Sequence, residues 1–200
     1  MNHEEWCLIL IGWNIDNMSD LYLHYVDLDM SIVDFFGGII NKIIQDKDPV
    51  DLKNLSTSGG GIQYDLYKTC IVDPHENLNP LEPISSYIKN IICETGVTNS
   101  IDNLNLASSW TVLGKRGSYH TCHKHNTNKD VSTVLYLETP QTNDERDEGI
   151  FYFVINNEVH ELVPKKGRLL IFPVTMYHGV YPQGDGLRQT LNMDFSLQEC

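Results

Sequence analysis

Two hundred residues with 14 Lys and Arg against 27 Asp and Glu, a formal charge of -13, suffice for one domain with a full hydrophobic core and no need of cross-links. The acidic balance and the lack of a basic stripe argue against a partner that tracks phosphates, so no nucleic acid is expected. The cysteines Cys7, Cys70, Cys93, Cys122 and Cys200 are scattered and fit free thiols in a reducing cytosol, and the acidic start Met1-Asn2-His3-Glu4-Glu5 and lack of any apolar run of spanning length add the expectation of a cytoplasmic protein with no membrane partner.

In chain order, the apolar positions Ile32, Phe35, Phe36, Ile39, Ile40, Ile43 and Ile44 recur at steps of three and four, which predicts a helix over Ser31–Gln45 with Ser31 as its N-cap. Gly37-Gly38 inside it predicts a kink or a close contact, since glycine weakens a helix interior. The run Ser56–Gly61 reads as a flexible loop, and the alternating Ile62–Tyr67 as a candidate strand. A second helix is predicted over Glu82–Thr95, opened by Pro83, closed by Gly96, and striped by Ile84, Tyr87, Ile88, Ile91 and Ile92.

From about Asn105 the texture becomes short β-branched and aromatic segments separated by turn residues. Strands are expected at Ser108–Gly114, Tyr119–His125, Val131–Leu137, Gly149–Ile155, Glu158–Val163, Arg168–Phe172, Tyr177–Tyr181 and Arg188–Leu197. Asn156-Asn157 reads as a hairpin turn, Pro164–Gly167 as a tight turn, and Thr139–Glu148 as a solvated loop near the barrel mouth, with a mobile lid as the alternative. The expected fold is mostly β with N-terminal helices: a jelly-roll, cupin-like double sheet with buttressing helices. We expect a single domain over 1–200, with a helical and mixed support region at 1–104 and the β core at 105–200.

The most telling local pattern is His123-Lys124-His125. On an extended strand, side chains alternate, so both imidazoles face one way. A third, from His178 on a later strand, would complete a facial metal set with positions left open. The blander alternatives are an exposed polar loop for the pair and a hydrogen-bonded core histidine for His178. Ten residues on, Arg188, Thr190 and Asn192 share one strand face. A buried arginine with a hydroxyl two residues away suits a bidentate carboxylate anchor, and a surface ion pair is the alternative. His120, three residues before His123, should face the opposite side unless a bulge intervenes, and Cys122 reads as a small buried side chain.

The ordered set Trp110, Gly117-Ser118-Tyr119, His123-Lys124-His125, Val131-Ser132, Leu135-Tyr136-Leu137, Val163-Pro164, Gly167-Arg168-Leu169-Leu170-Ile171-Phe172-Pro173, His178-Gly179-Val180-Tyr181-Pro182 and Arg188 resembles the 2-oxoglutarate- and Fe(II)-dependent oxygenases common in phages and aquatic bacteria, distant relatives of the prolyl hydroxylases. The resemblance covers roughly Ala107 to Phe195. It implies a double-stranded β-helix with Fe(II) at one end of the barrel and 2-oxoglutarate as cosubstrate. It further implies His123 and His178 as the two histidine ligands, with His125 standing where many relatives carry a ligand carboxylate. Arg188 matches the anchor of the far carboxylate of 2-oxoglutarate, and Thr190 its usual hydroxyl support.

Tyr136 is expected to line the cosubstrate pocket, with plain packing in the β core as the alternative. Because H-x-H replaces H-x-D, the third ligand is open between His125, water and the downstream carboxylate of Asp130. The implied activity is a dioxygenase that consumes O2 and hydroxylates a protein side chain or small molecule, with release of succinate and CO2. Two alternatives stand beside it: a three-histidine cupin-like dioxygenase or isomerase that does not use 2-oxoglutarate, and an inactive barrel serving as a binding module.

Overall fold

The computed structural model describes residues 6–8, 23–51, 58–68, 81–125, 128–140 and 149–197. In chain order these form β1 (Trp6–Leu8), β2 (His24–Asp27), α1 (Met30–Ile44), β3 (Val50–Asp51), β4 (Ser58–Gly59), β5 (Ile62–Lys68), α2 (Glu82–Glu94), β6 (Leu104–Gly114), β7 (Tyr119–His123), β8 (Val131–Glu138), β9 (Phe151–Ile155), β10 (Glu158–Leu162), β11 (Arg168–Pro173), β12 (Tyr177–Val180) and β13 (Arg188–Leu197). The strands make a major sheet in the order β1-β2-β11-β8-β13-β6-β5-β3 and a minor sheet in the order β10-β9-β12-β7-β4. Neighbouring strands run antiparallel. This is the expected double-stranded β-helix, and none of the described helices is long and apolar enough to cross a membrane.

Strands β8 and β11 show why the architecture holds. Leu135, Leu137, Leu169 and Ile171 point to one face of the major sheet, where Val33, Phe36, Ile40, Ile84, Ile88 and Ile92 of the helices cover them. Val134, Tyr136, Leu170 and Phe172 point to the other, where they meet Phe151, Phe153 and Met176 from the minor-sheet side. With both faces covered, these strands read as continuous apolar runs, and each large side chain so buried contributes about 1.5–3 kcal/mol. The helices buttress the sheet, as expected.

Local details refine the sequence expectations. The N-cap of α1 is Asp29, not Ser31: its carboxylate accepts the Ser31 amide at 2.8 Å, and a carboxylate is as good a cap as a hydroxyl. Gly37 and Gly38 lie within an unbroken α1, and a Cβ on either would meet open space, so no close contact explains them. Asn156 and Asn157 both have positive φ, 53° and 64°, the geometry of a two-residue type I′ hairpin between β9 and β10. Cys122 is exposed rather than buried. Of the expected loops, residues 56–57 and 141–148 lie outside the described residues, while Ser58–Gly59 pair with β7 as β4.

Candidate functional site

His123 ends β7 and His178 lies in β12, and the two are directly paired across the antiparallel ladder. His125 follows two residues beyond β7, its amide bonded to Val174 O at 2.9 Å. Ring centroids are separated by 4.5 Å for His123–His178, 5.0 Å for His125–His178 and 5.5 Å for His123–His125. One nitrogen from each ring lies within 4.8 Å of the others.

Hydrogen bonding identifies those nitrogens. His123 Nδ1 lies 2.8 Å from Thr121 O, His178 Nδ1 2.9 Å from Met176 O, and His125 Nδ1 2.9 Å from Asp194 Oδ1. A carbonyl or carboxylate oxygen only accepts, so each Nδ1 carries the hydrogen and each Nε2 presents a lone pair to the common point. Burial lowers the pKa of His178 to about 3 and lowers that of His123, where the bond to Thr121 O partly opposes it. Both rings are therefore neutral near pH 7 and can ligate without losing a proton.

The three imidazoles open on a cavity of about 470 Å³ between the two sheets. Arg188, Thr190, Asn192 and Asp194 of β13 line it at a two-residue spacing, as strand geometry requires. Arg188 is 2% exposed, its Nη1 has no hydrogen-bond partner, and it makes no ion pair among the described residues. Burial lowers its pKa. An unpaired guanidinium in such a place is costly, and its natural complement is a carboxylate taken from outside the chain. Thr190 Oγ1 accepts from Asn192 Nδ2 at 3.2 Å, which leaves its own hydrogen free to donate. Tyr136 is buried on the cavity wall, and burial pushes its phenol up to about 12, so it stays protonated.

Asp130 is not at the site. Its carboxylate accepts the Leu197 amide at 2.7 Å, on the strand that its backbone also joins. The carboxylate that does reach the imidazoles is Asp194, 1% exposed. Burial alone would raise its pKa, but hydrogen bonds from His125, Lys129 and Ser132 outweigh this and hold it at about 2. Asp194 was legible as the next even step after Arg188, Thr190 and Asn192. His120 also lines the cavity, its ring 6.2 Å from that of His123. The reason is a bulge: three steps on β7, from His120 to His123, match two on β12, from His178 to Val180.

Fold and site together define a double-stranded β-helix that carries a metal-capable imidazole cluster. Residues 108–194 match the family described as "Putative 2OG-Fe(II) oxygenase", which bears out the family resemblance read in the sequence. That family uses Fe(II) and 2-oxoglutarate, and the three converging Nε2 atoms and the orphaned Arg188 guanidinium fit both. Similar solved structures include a Pseudomonas putida prolyl-4-hydroxylase (TM-score 0.63, 16% identity, 88% of this chain and 93% of that one). The viral collagen prolyl hydroxylase of Paramecium Bursaria Chlorella virus-1, in its 2OG complex, gives a TM-score of 0.57 at 19% identity over 87% of this chain and 95% of that one. HygX from Streptomyces hygroscopicus, with nickel and 2-oxoglutarate bound, gives 0.62 at 12% identity over 88% and 83%. A comparison with curated protein sequences returned no match.

Proposed function

We propose that this chain is a 2-oxoglutarate- and Fe(II)-dependent dioxygenase that hydroxylates a protein side chain or small molecule. One atom of O2 enters the substrate as a hydroxyl and the other enters succinate, while C1 of 2-oxoglutarate leaves as CO2. The observation that carries this reading is Arg188: a buried guanidinium with an unpartnered Nη1, in the same cavity as three Nε2 lone pairs. His123, His125 and His178 are assigned as the iron ligands, Arg188 as the partner of the 5-carboxylate, and Thr190 and Tyr136 as supporting donors. When bound, the iron supplies the oxidative chemistry, and the protein's part is positional.

Each residue's contribution follows from its surroundings. The guanidinium offers two parallel N–H donors matched to a carboxylate, and Thr190 a further hydrogen beside it. His123 and His178, neutral near pH 7, hold the metal without a proton to expel. Val134, Tyr136 and Phe151 wall the cavity with buried side chains, which limits water beside the reacting groups. The prolyl hydroxylases among the similar folds make a peptide side chain the first substrate class to test.

The test is anaerobic titration of metal-free protein with Fe(II), then 2-oxoglutarate, following the visible charge-transfer band of bidentate chelation. A band that needs both additions and is lost in His178→Ala is expected. Arg188→Ala should raise the 2-oxoglutarate concentration required by more than about tenfold, because truncating one side of a buried charge pair costs at least 2 kcal/mol. Metal binding without the band, or unchanged cosubstrate affinity in Arg188→Ala, would overturn the assignment.

A further inference from the structure

Two of the three imidazoles are aimed locally and one is not. His123 and His178 each donate Nδ1–H to the backbone carbonyl two residues earlier, Thr121 O and Met176 O, so each is oriented by its own stretch of backbone. His125 instead meets Asp194, 69 positions away on β13 of the major sheet. His125 lies past the end of β7, and its ring leans on Trp110 at a centroid separation of 5.5 Å, a contact that leaves the choice of tautomer open.

We propose that Asp194 is the positioning residue of this centre, fixing the tautomer and direction of His125 so that an imidazole serves where H-x-D relatives place a carboxylate. The inference rests on the reading of His125 as a metal ligand. The carboxylate is held on both oxygens. Oδ1 accepts from His125 at 2.9 Å and from Ser132 Oγ at 2.7 Å; Oδ2 accepts from Lys129 Nζ at 2.8 Å and from Ser108 Oγ at 3.3 Å. Lys129 also donates to Ser108 Oγ at 2.6 Å. With Oδ2 engaged by Lys129 and Ser108, Oδ1 is left to the imidazole and to Ser132, whose Oγ also lies 3.1 Å from His125 Nδ1. A metal-binding histidine whose other nitrogen donates to a carboxylate has its tautomer set and its basicity raised, and loss of such a partner typically weakens metal affinity 10- to 100-fold. The carboxylate absent from the H-x-H motif is thus present one hydrogen bond further from the metal position.

The experiment compares wild-type protein with Asp194→Asn by two readouts, neither of them turnover. The first is anaerobic calorimetric titration with Fe(II) and, separately, Co(II). The second is the 15N chemical shifts of the histidine ring nitrogens in metal-free protein, which report each tautomer. We expect a 10- to 100-fold loss of metal affinity and a change confined to His125, with His123 and His178 still in the Nδ1–H form. Because Asp194→Asn leaves Lys129 without its counter-ion, the double variant Lys129→Met/Asp194→Asn is measured in parallel and should show the same loss. Unchanged affinity and an unchanged His125 tautomer in either folded variant would overturn the role of Asp194 while leaving the ligand set standing. Failure of the wild-type protein to bind either metal would overturn the ligand reading and this inference with it.

Discussion

Arg188 and Gly114 are paired across the β13–β6 ladder, and the guanidinium lies beside the space that a side chain at 114 would take. A Cβ there would stand 2.7 Å from Gln183 Oε1, 3.3 Å from Arg188 Nη2 and 3.4 Å from Arg188 Nε. Gly114→Ala is therefore expected to leave the fold intact, since side-chain ends can yield, but to turn the guanidinium aside. Affinity for 2-oxoglutarate should fall on the order of tenfold, equivalent to about 1.4 kcal/mol. Titration of the Fe(II)-loaded variant checks this, and wild-type affinity would count against Arg188 as the anchor.

A second prediction concerns stability in the absence of ligand. Arg188 is buried without a counter-charge, and replacing buried charges by apolar groups of similar size is often neutral or stabilising by about 1–4 kcal/mol. Arg188→Met should thus melt no lower than wild type without ligands, with a gain of roughly 2–4 °C per kcal/mol for a chain of this size. Added 2-oxoglutarate should no longer raise its melting temperature. A large fall in the ligand-free melting temperature would show that the guanidinium is a structural element.

Gly179 sets the spacing of β12 and β7. A Cβ on it would collide with the Tyr152 hydroxyl and stand 2.8 Å from His120 O, and a backbone oxygen in a ladder has no room to retreat. Gly179→Ala should cost about 1–3 kcal/mol, as overpacking does, and weaken metal binding by displacing His178 relative to His123. Thermal melts with and without Co(II) would reveal both effects, and normal metal affinity would contradict the prediction.

Stability should also depend on pH through His178. Its pKa is about 3 in the fold against an ordinary 6.5, so between those values the unfolded chain binds more protons and acid favours unfolding. The contribution is complete above pH 6.5 and is lost progressively down to about pH 3. At pH 4 the loss from this ring is on the order of 3 kcal/mol. Burial lowers the pKa of His120 to about 3 as well, so urea unfolding of metal-free wild type and His178→Gln at pH 7 and pH 4 isolates the His178 share, and an equal pH effect in the two proteins would exclude a neutral buried imidazole at 178.

Much of this was legible in advance because the C-terminal half obeys period-2 geometry. Arg188–Leu197 was expected as a strand and forms over those residues, and the same alternation put Arg188, Thr190 and Asn192 on one face. Three of the misses share a cause: each depends on a distant partner. β2 has four residues, with only Val26 fully buried, and is a strand because β11 pairs with it. Its Asp27 accepts from Arg168 Nε at 2.8 Å, and that guanidinium covers the Tyr25 ring at 4.4 Å, contacts about 140 residues apart in the chain. His120 reached the cavity through a bulge that only the pairing with β12 reveals. Asp194 gained its meaning from His125, which local periodicity cannot supply.

The His125–Asp194 bond also joins the two halves of the sandwich, since His123 and His178 ride on the minor sheet and Asp194 on the major one. The imidazole cluster is therefore a gauge of how firmly the sheets are closed on each other. Each sheet can keep its own ladder while the gap between them widens slightly, and that widening would scatter three nitrogens that must agree to within a fraction of an ångström. Warming or mild denaturant should abolish metal capture before the far-ultraviolet signature of the strands declines, so functional life ends at a lower temperature than folded life.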